Sequence, residues 1–193
     1  MRGAHRHVTV LFADIEGFTA LAERLPPDAV VTLLNEYFGV MAAVVERFHG
    51  RIDKYIGDAM LVVWEQPVRD GAALAAQAAL AMQLALSELQ SKWLAEGRVP
   101  LKNRIGICSG QVIEGMIGGP ARQDRTVIGD AVNTAARLEA MNKDLHTDII
   151  LSQSTYELVQ PHARVRALGT YPIKGRQAPM AIYALVGWRQ DDA

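Results

Sequence analysis

The chain has 193 residues, 50% of them apolar, and a formal net charge of −1, which suits one well-buried domain and lacks the basic excess that non-specific nucleic-acid binding requires. Its single cysteine, Cys108, lies in the apolar run Ile105-Gly-Ile-Cys108 and reads as a small core residue rather than a nucleophile. The Ala/Leu-rich region over residues 72–86 is interrupted by Gln77 and Gln83, and residues 1–7 have no signal-peptide core, so the expectation is a cytoplasmic chain with no membrane span and no nucleic-acid partner.

In chain order, a buried strand is predicted over residues 9–13, then a turn at Asp14-Ile-Glu-Gly17 and a short helix to about Arg24. Pro26 and Pro27 suit the first turn of the next helix. Its apolar stripe is Val30, Leu33, Leu34, Tyr37, Met41, Val44, Val45 and Phe48, and Gly50 fits its C-terminal cap. Residues 51–56 and 59–64 read as strands joined at Gly57-Asp58, and residues 70–89 as an Ala-rich helix. Residues 101–108 and 111–117 read as a hairpin turned at Ser109-Gly110, followed by a polar loop over 118–124. A short strand over 126–128 leads to a helix from Asp130 to about Asn142. A strand at 149–151, a helix at 152–159 and strands near 164–171 and 181–186 finish the chain. The early order is strand, helix, strand, strand, helix, strand. It predicts an α+β sandwich with a ferredoxin-like βαββαβ core and extra C-terminal strands and helices. One domain is expected over residues 1–193, with its core at about 7–187.

Two aspartates stand out. Asp14 closes the run Val8-Thr-Val-Leu-Phe-Ala13, and Asp58 precedes Ala59-Met-Leu-Val-Val-Trp64. Either alone is ordinary turn chemistry. Two carboxylates brought together at strand ends are costly without a compensating cation. They would make a hard oxygen pocket suited to Mg²⁺ or Mn²⁺ and to the phosphates those ions carry.

Four strings carry a resemblance: Phe12-Ala-Asp-Ile-Glu-Gly-Phe-Thr19, Lys54-Tyr-Ile-Gly-Asp-Ala-Met60, Thr126-Val-Ile-Gly-Asp-Ala-Val-Asn-Thr-Ala-Ala-Arg137 and Ile173-Lys-Gly175. In this order they resemble the class III nucleotidyl cyclase catalytic domain, over about residues 7–186. The resemblance implies in-line attack of a ribose 3′-hydroxyl on its own α-phosphate, giving a 3′,5′-cyclic monophosphate and pyrophosphate. It implies two Mg²⁺ or Mn²⁺ ions per site, bridged by Asp14 and Asp58, with the Ile15 carbonyl as a further ligand. Glu16 reads instead as a solvated turn residue.

By the same resemblance Arg137 stabilises charge on the α-phosphoryl group and Asn133, one helical turn earlier, orients the ribose. Lys174 and Arg122 match phosphate contacts, although Arg125 lies close to Arg122, at a position where an aromatic is expected. Lys54 and Thr126 match the base-reading pair. A lysine can only donate, which suits adenine N1, whereas Thr126 can donate or accept and discriminates less. The expected substrate is ATP, with a guanylyl cyclase and a catalytically silent nucleotide-binding module as the alternatives. A polymerase palm or a diguanylate cyclase shares the two-carboxylate sheet, but the chain has neither a Gly-Gly-Asp/Glu-Glu-Phe string nor a basic template channel. Thr126, where Asp is commoner among adenylyl cyclases, resembles the bicarbonate-responsive class IIIb subgroup. In the family each site is shared between subunits, so a head-to-tail homodimer is expected. Asp14, Asp58 and Arg122 would come from one protomer, and Lys54, Thr126, Asn133, Arg137 and Lys174 from the other.

Overall fold

The computed structural model describes residues 3–176 and 178–189, with the side chain of Arg122 excepted. Its elements are β1 (Ala4–Ile15), α1 (Phe18–Ala22), α2 (Pro27–Arg47), β2 (Arg51–Ile56), β3 (Ala59–Trp64), α3 (Val68–Ala95), β4 (Asn103–Gly119), β5 (Arg122–Ile128), α4 (Asp130–Leu145), β6 (Ile149–Ser152), α5 (Gln153–Val159), β7 (Ala163–Tyr171) and β8 (Met180–Trp188). One sheet runs β2-β3-β1-β4-β6-β8-β7, with β5 paired to β4 off that path. The first four strands of that order are the ferredoxin-like core, and the pairing is antiparallel except between β4 and β6. The α+β sandwich with C-terminal additions is therefore what the chain forms.

Strand alternation sorts the core into two layers. Leu11, Ala13 and Ile15 of β1 join Met60, Val62 and Trp64 of β3 beneath α2 and α3. Val8 and Val10 join Leu61, Val63, Cys108 and Val112 on the opposite face, against Ala131 and Ala135 of α4. α4 crosses β4 so closely that a methyl group on Gly106 would lie 2.0 Å from the Ala135 carbonyl oxygen. Only a glycine lets helix and strand meet there. α2 and α3 are long and apolar enough to cross a membrane, yet each lays a buried stripe on the sheet, with Tyr37, Met41, Met82 and Trp93 fully covered. Cys108 is buried, and burial pushes its thiol up, as a core residue requires.

Three local expectations are corrected. Ser109-Gly110 is not a turn: β4 continues through it, paired to β1 from Ala4↔Glu114 to Ile15↔Asn103. Ser109 holds the strand there through its backbone N–H to Thr155 Oγ1 at 2.8 Å and its hydroxyl contact with Thr9 at 2.8 Å. Consequently the polar segment 118–124 is no open loop but the tip of the β4–β5 hairpin, with Gly119↔Arg122 as its last pair. At the end of α2 His49, not Gly50, takes the left-handed backbone, at φ 57°. Gly50 is small because Trp64 occupies the space, 2.7 Å from where a side chain would begin.

Candidate active site

β1 and β3 pair with Ala13 opposite Met60, so Asp14 emerges beside the Gly57-Asp58 turn that enters β3. Gly57 makes that two-residue turn possible with φ 63°. Asp14 belongs to the Val8 and Val10 face, beneath α4, and its carboxyl meets that of Asp58. Burial, the Asp58 carboxyl and the nearby Glu139 charge together push Asp14 up to about 7, while the Ile15 backbone N–H works weakly the other way. Asp14 Oδ1 is buried without a hydrogen-bond partner. Glu139, on α4, is already taken: Arg104 Nε lies 3.2 Å from its Oε1, an ion pair whose angle falls short of a hydrogen bond.

An orphaned buried oxygen on one of two neighbouring carboxyls is the arrangement a hard divalent cation relieves. Among the described residues no cluster of three or more Asp, Glu, His or Cys offers a closed cage. Mg²⁺ keeps water and binds through one or two carboxylates plus substrate phosphates, so Asp14 and Asp58 are the residues that could hold it. Ile15 is the last, buried residue of β1, and Glu16 is exposed with its backbone N–H on the Lys102 carbonyl at 2.8 Å, the solvated turn residue it was read to be.

α4 carries the second group. Asn133 is exposed and Arg137, one turn on, is half-buried. Gly175, at φ 84°, leaves room for the Arg137 guanidinium: a side chain there would begin 3.4 Å from both terminal nitrogens. The Ile173-Lys-Gly175 turn is thereby packed on Arg137, and Arg176 Nη1 fastens it to Asp130 Oδ2 at 2.9 Å. Lys174 stays exposed at its tip.

A third group lies around β2. Lys54 Nζ is 3.5 Å from Asp53 Oδ2, and the Thr126 hydroxyl donates to the same oxygen at 2.6 Å. Arg51 binds Asp53 Oδ1 at 3.0 Å and reaches Glu65 and Glu114. Arg125 pairs with Glu114 at 2.7 Å, so this cation is committed to the sheet. The Arg122 side chain lies outside the described residues; its backbone opens β5. The structure thus brings together Asp14 with Asp58, Lys54 with Thr126, and Arg137 with the Lys174 turn. No hydrogen bond or ion pair among the described residues joins the carboxylate pair to either other group. Sequence reasoning missed Asp53, which immediately precedes the Lys54-Tyr-Ile-Gly-Asp-Ala-Met60 string and whose side-chain burial no periodicity announced.

The fold and these three groups define a cyclase-type catalytic domain, and comparison with known proteins agrees. The chain belongs to the adenylate and guanylate cyclase catalytic domain family, whose description it matches over residues 2–187. It is 36% identical over 184 residues to Adenylate cyclase 1 of Rhizobium meliloti, covering 94% of this chain and 28% of that protein. The chain thus spans under a third of that curated relative. The crystal structure of the adenylyl cyclase CyaB from P. aeruginosa superposes with a TM-score of 0.91 at 34% identity, covering 99% of each chain. That of the guanylyl cyclase Cya2 gives 0.87 at 36% identity, covering 100% of this chain and 98% of the other.

Proposed function

We propose that the domain is an adenylyl cyclase, closing ATP to 3′,5′-cyclic AMP with release of pyrophosphate. The observation that carries the reading is the Asp14–Asp58 pair with its unsatisfied buried oxygen, on the same sheet as Lys54 and beneath the helix that bears Arg137. Asp14, Asp58 and the Ile15 carbonyl would hold two Mg²⁺ or Mn²⁺ ions. Bound there, divalent ions make the 3′-hydroxyl more acidic and neutralise the leaving pyrophosphate.

The chain's own groups do the rest by positioning and charge. Arg137 places a fixed guanidinium where charge grows on the α-phosphoryl oxygens, and the Gly175 turn at its back keeps it from swinging away. Asn133 orients the ribose from the exposed face one turn earlier. Lys174 meets the outer phosphates, with Arg122 as a second phosphate contact. Lys54 donates to adenine N1, where guanine presents a donor of its own. The likeness to Adenylate cyclase 1 of Rhizobium meliloti and to the adenylyl cyclase CyaB supports ATP, whereas the likeness to a guanylyl cyclase makes GTP the competing substrate.

A head-to-tail homodimer with two shared sites would set the carboxylate pair of one protomer against the Arg137 and Lys54–Thr126 groups of the other. Apolar Tyr55 and Ile56 at the β2–β3 turn and Met116, Ile117 and Ile128 on the β4–β5 hairpin are exposed, as surfaces awaiting a second copy are. Bicarbonate is proposed as an activator on the Thr126 resemblance; a dose series at constant pH with unchanged turnover removes it. The reaction is tested by incubating the domain with ATP or GTP and Mn²⁺ and separating the products. Cyclic AMP and pyrophosphate are expected; cyclic GMP alone, or no cyclic product from a folded dimer, refutes the reading.

A further inference from the structure

A regular strand would turn Asp53 and Lys54 to opposite faces. β2 instead shifts its register against β3 between Ile52 and Lys54, a bulge that re-aims the side chains around it. Asp53 Oδ2 then meets both the Lys54 ammonium at 3.5 Å and the Thr126 hydroxyl at 2.6 Å, while Oδ1 holds Arg51 at 3.0 Å. The Asp53 side chain has no exposed surface. Three donors surround it, and both of its oxygens accept. Thr126 must therefore donate to it. A hydroxyl has one proton, so only lone pairs remain for anything else Thr126 touches.

We propose that Asp53 is a positioning residue that sets purine specificity: by taking the single proton of Thr126, it makes Thr126 an obligate acceptor beside the obligate donor Lys54. A donor next to an acceptor complements adenine, which offers an acceptor at N1 and a donor at its amine. It opposes guanine at both points, where N1–H meets the ammonium and O6 meets a lone pair. An untethered threonine reads either base; this one does not. The inference rests on the base-reading role given above to Lys54 and Thr126.

Asp53→Asn tests it. The amide oxygen keeps Arg51, and the amide nitrogen donates to Thr126, so the hydroxyl turns its proton outward. Equilibrium binding is read with 3′-deoxy-ATP and 3′-deoxy-GTP, which lack the attacking hydroxyl, and kcat/KM with ATP and GTP. The adenine-to-guanine ratio should fall about tenfold in both readouts, since one neutral hydrogen bond changes sign for each base. In a Thr126→Val background the same Asp53→Asn change should leave the ratio unmoved, because no hydroxyl remains to turn.

An equal loss for both purines, or a shift that persists in the Thr126→Val background, overturns the inference while leaving the ATP reading intact. A wild-type preference for guanine overturns both. Should Asp53→Asn fail to fold, NMR on the unaltered domain decides. A slowly exchanging Thr126 hydroxyl proton directed at Asp53 is expected, and a freely rotating, fast-exchanging hydroxyl overturns the proposal.

Discussion

Replacing Asp14 by Asn should stabilise the cation-free domain while disabling it. Burial, Asp58 and Glu139 raise the Asp14 carboxyl from 3.8 to about 7. At about 1.4 kcal/mol per unit, the penalty for the charged form reaches about 4 kcal/mol at most. The side chain is only half-buried, and solvent screening reduces this to about 1–2 kcal/mol. Because the folded value lies above the unfolded one, stability is fully present below about pH 4 and is lost as pH rises through about 7. Asn carries no charge, and its amide can donate to Asp58. In urea titrations with a chelator, the variant should therefore gain on the wild type by about 1–2 kcal/mol between about pH 5 and pH 8. Adding Mn²⁺ and nucleotide should raise the wild-type midpoint and leave the variant's unchanged. A difference that stays flat with pH, or a variant less stable than wild type at the higher pH, refutes the reasoning.

Gly106→Ala puts a methyl group 2.0 Å from the Ala135 carbonyl and 2.4 Å from the Glu139 backbone nitrogen, and should cost about 3 kcal/mol by urea denaturation. A loss below about 0.5 kcal/mol contradicts the close helix–strand crossing. Arg137→Ala should lower kcat about a hundredfold or more with little change in KM, since its charge is needed most as the bond to the α-phosphorus forms. A rise in KM at constant kcat would make Arg137 a ground-state contact instead.

Periodicity located the helices and the order of the βαββαβ core, because α2 has a continuous apolar stripe, β3 is an unbroken apolar run and the second half of β1 is largely apolar and buried. The carboxylate pair was legible for a related reason: an acid bordering a buried strand is conspicuous in a string of hydrophobes. Ser109-Gly110 misled because turn-forming residues were read locally, whereas partners far along the chain, Thr155 and Thr9, hold that stretch straight. Asp53 escaped because a bulge breaks the two-residue period on which strand faces are read. Arg125 drew notice as a phosphate-loop neighbour, and only tertiary structure supplies Glu114 as its partner.

Mixing two dead chains tests the central claim most directly. An Asp14→Ala chain lacks the cation-holding pair and an Arg137→Ala chain lacks the phosphoryl contact, so each homodimer should be inactive. In a mixed dimer one of the two shared sites would keep Asp14 from one protomer and Arg137 from the other. Cyclic AMP formation should reappear on mixing, at about a quarter of the wild-type rate per chain if the subunits pair at random. A verified heterodimer that makes no cyclic nucleotide contradicts the account.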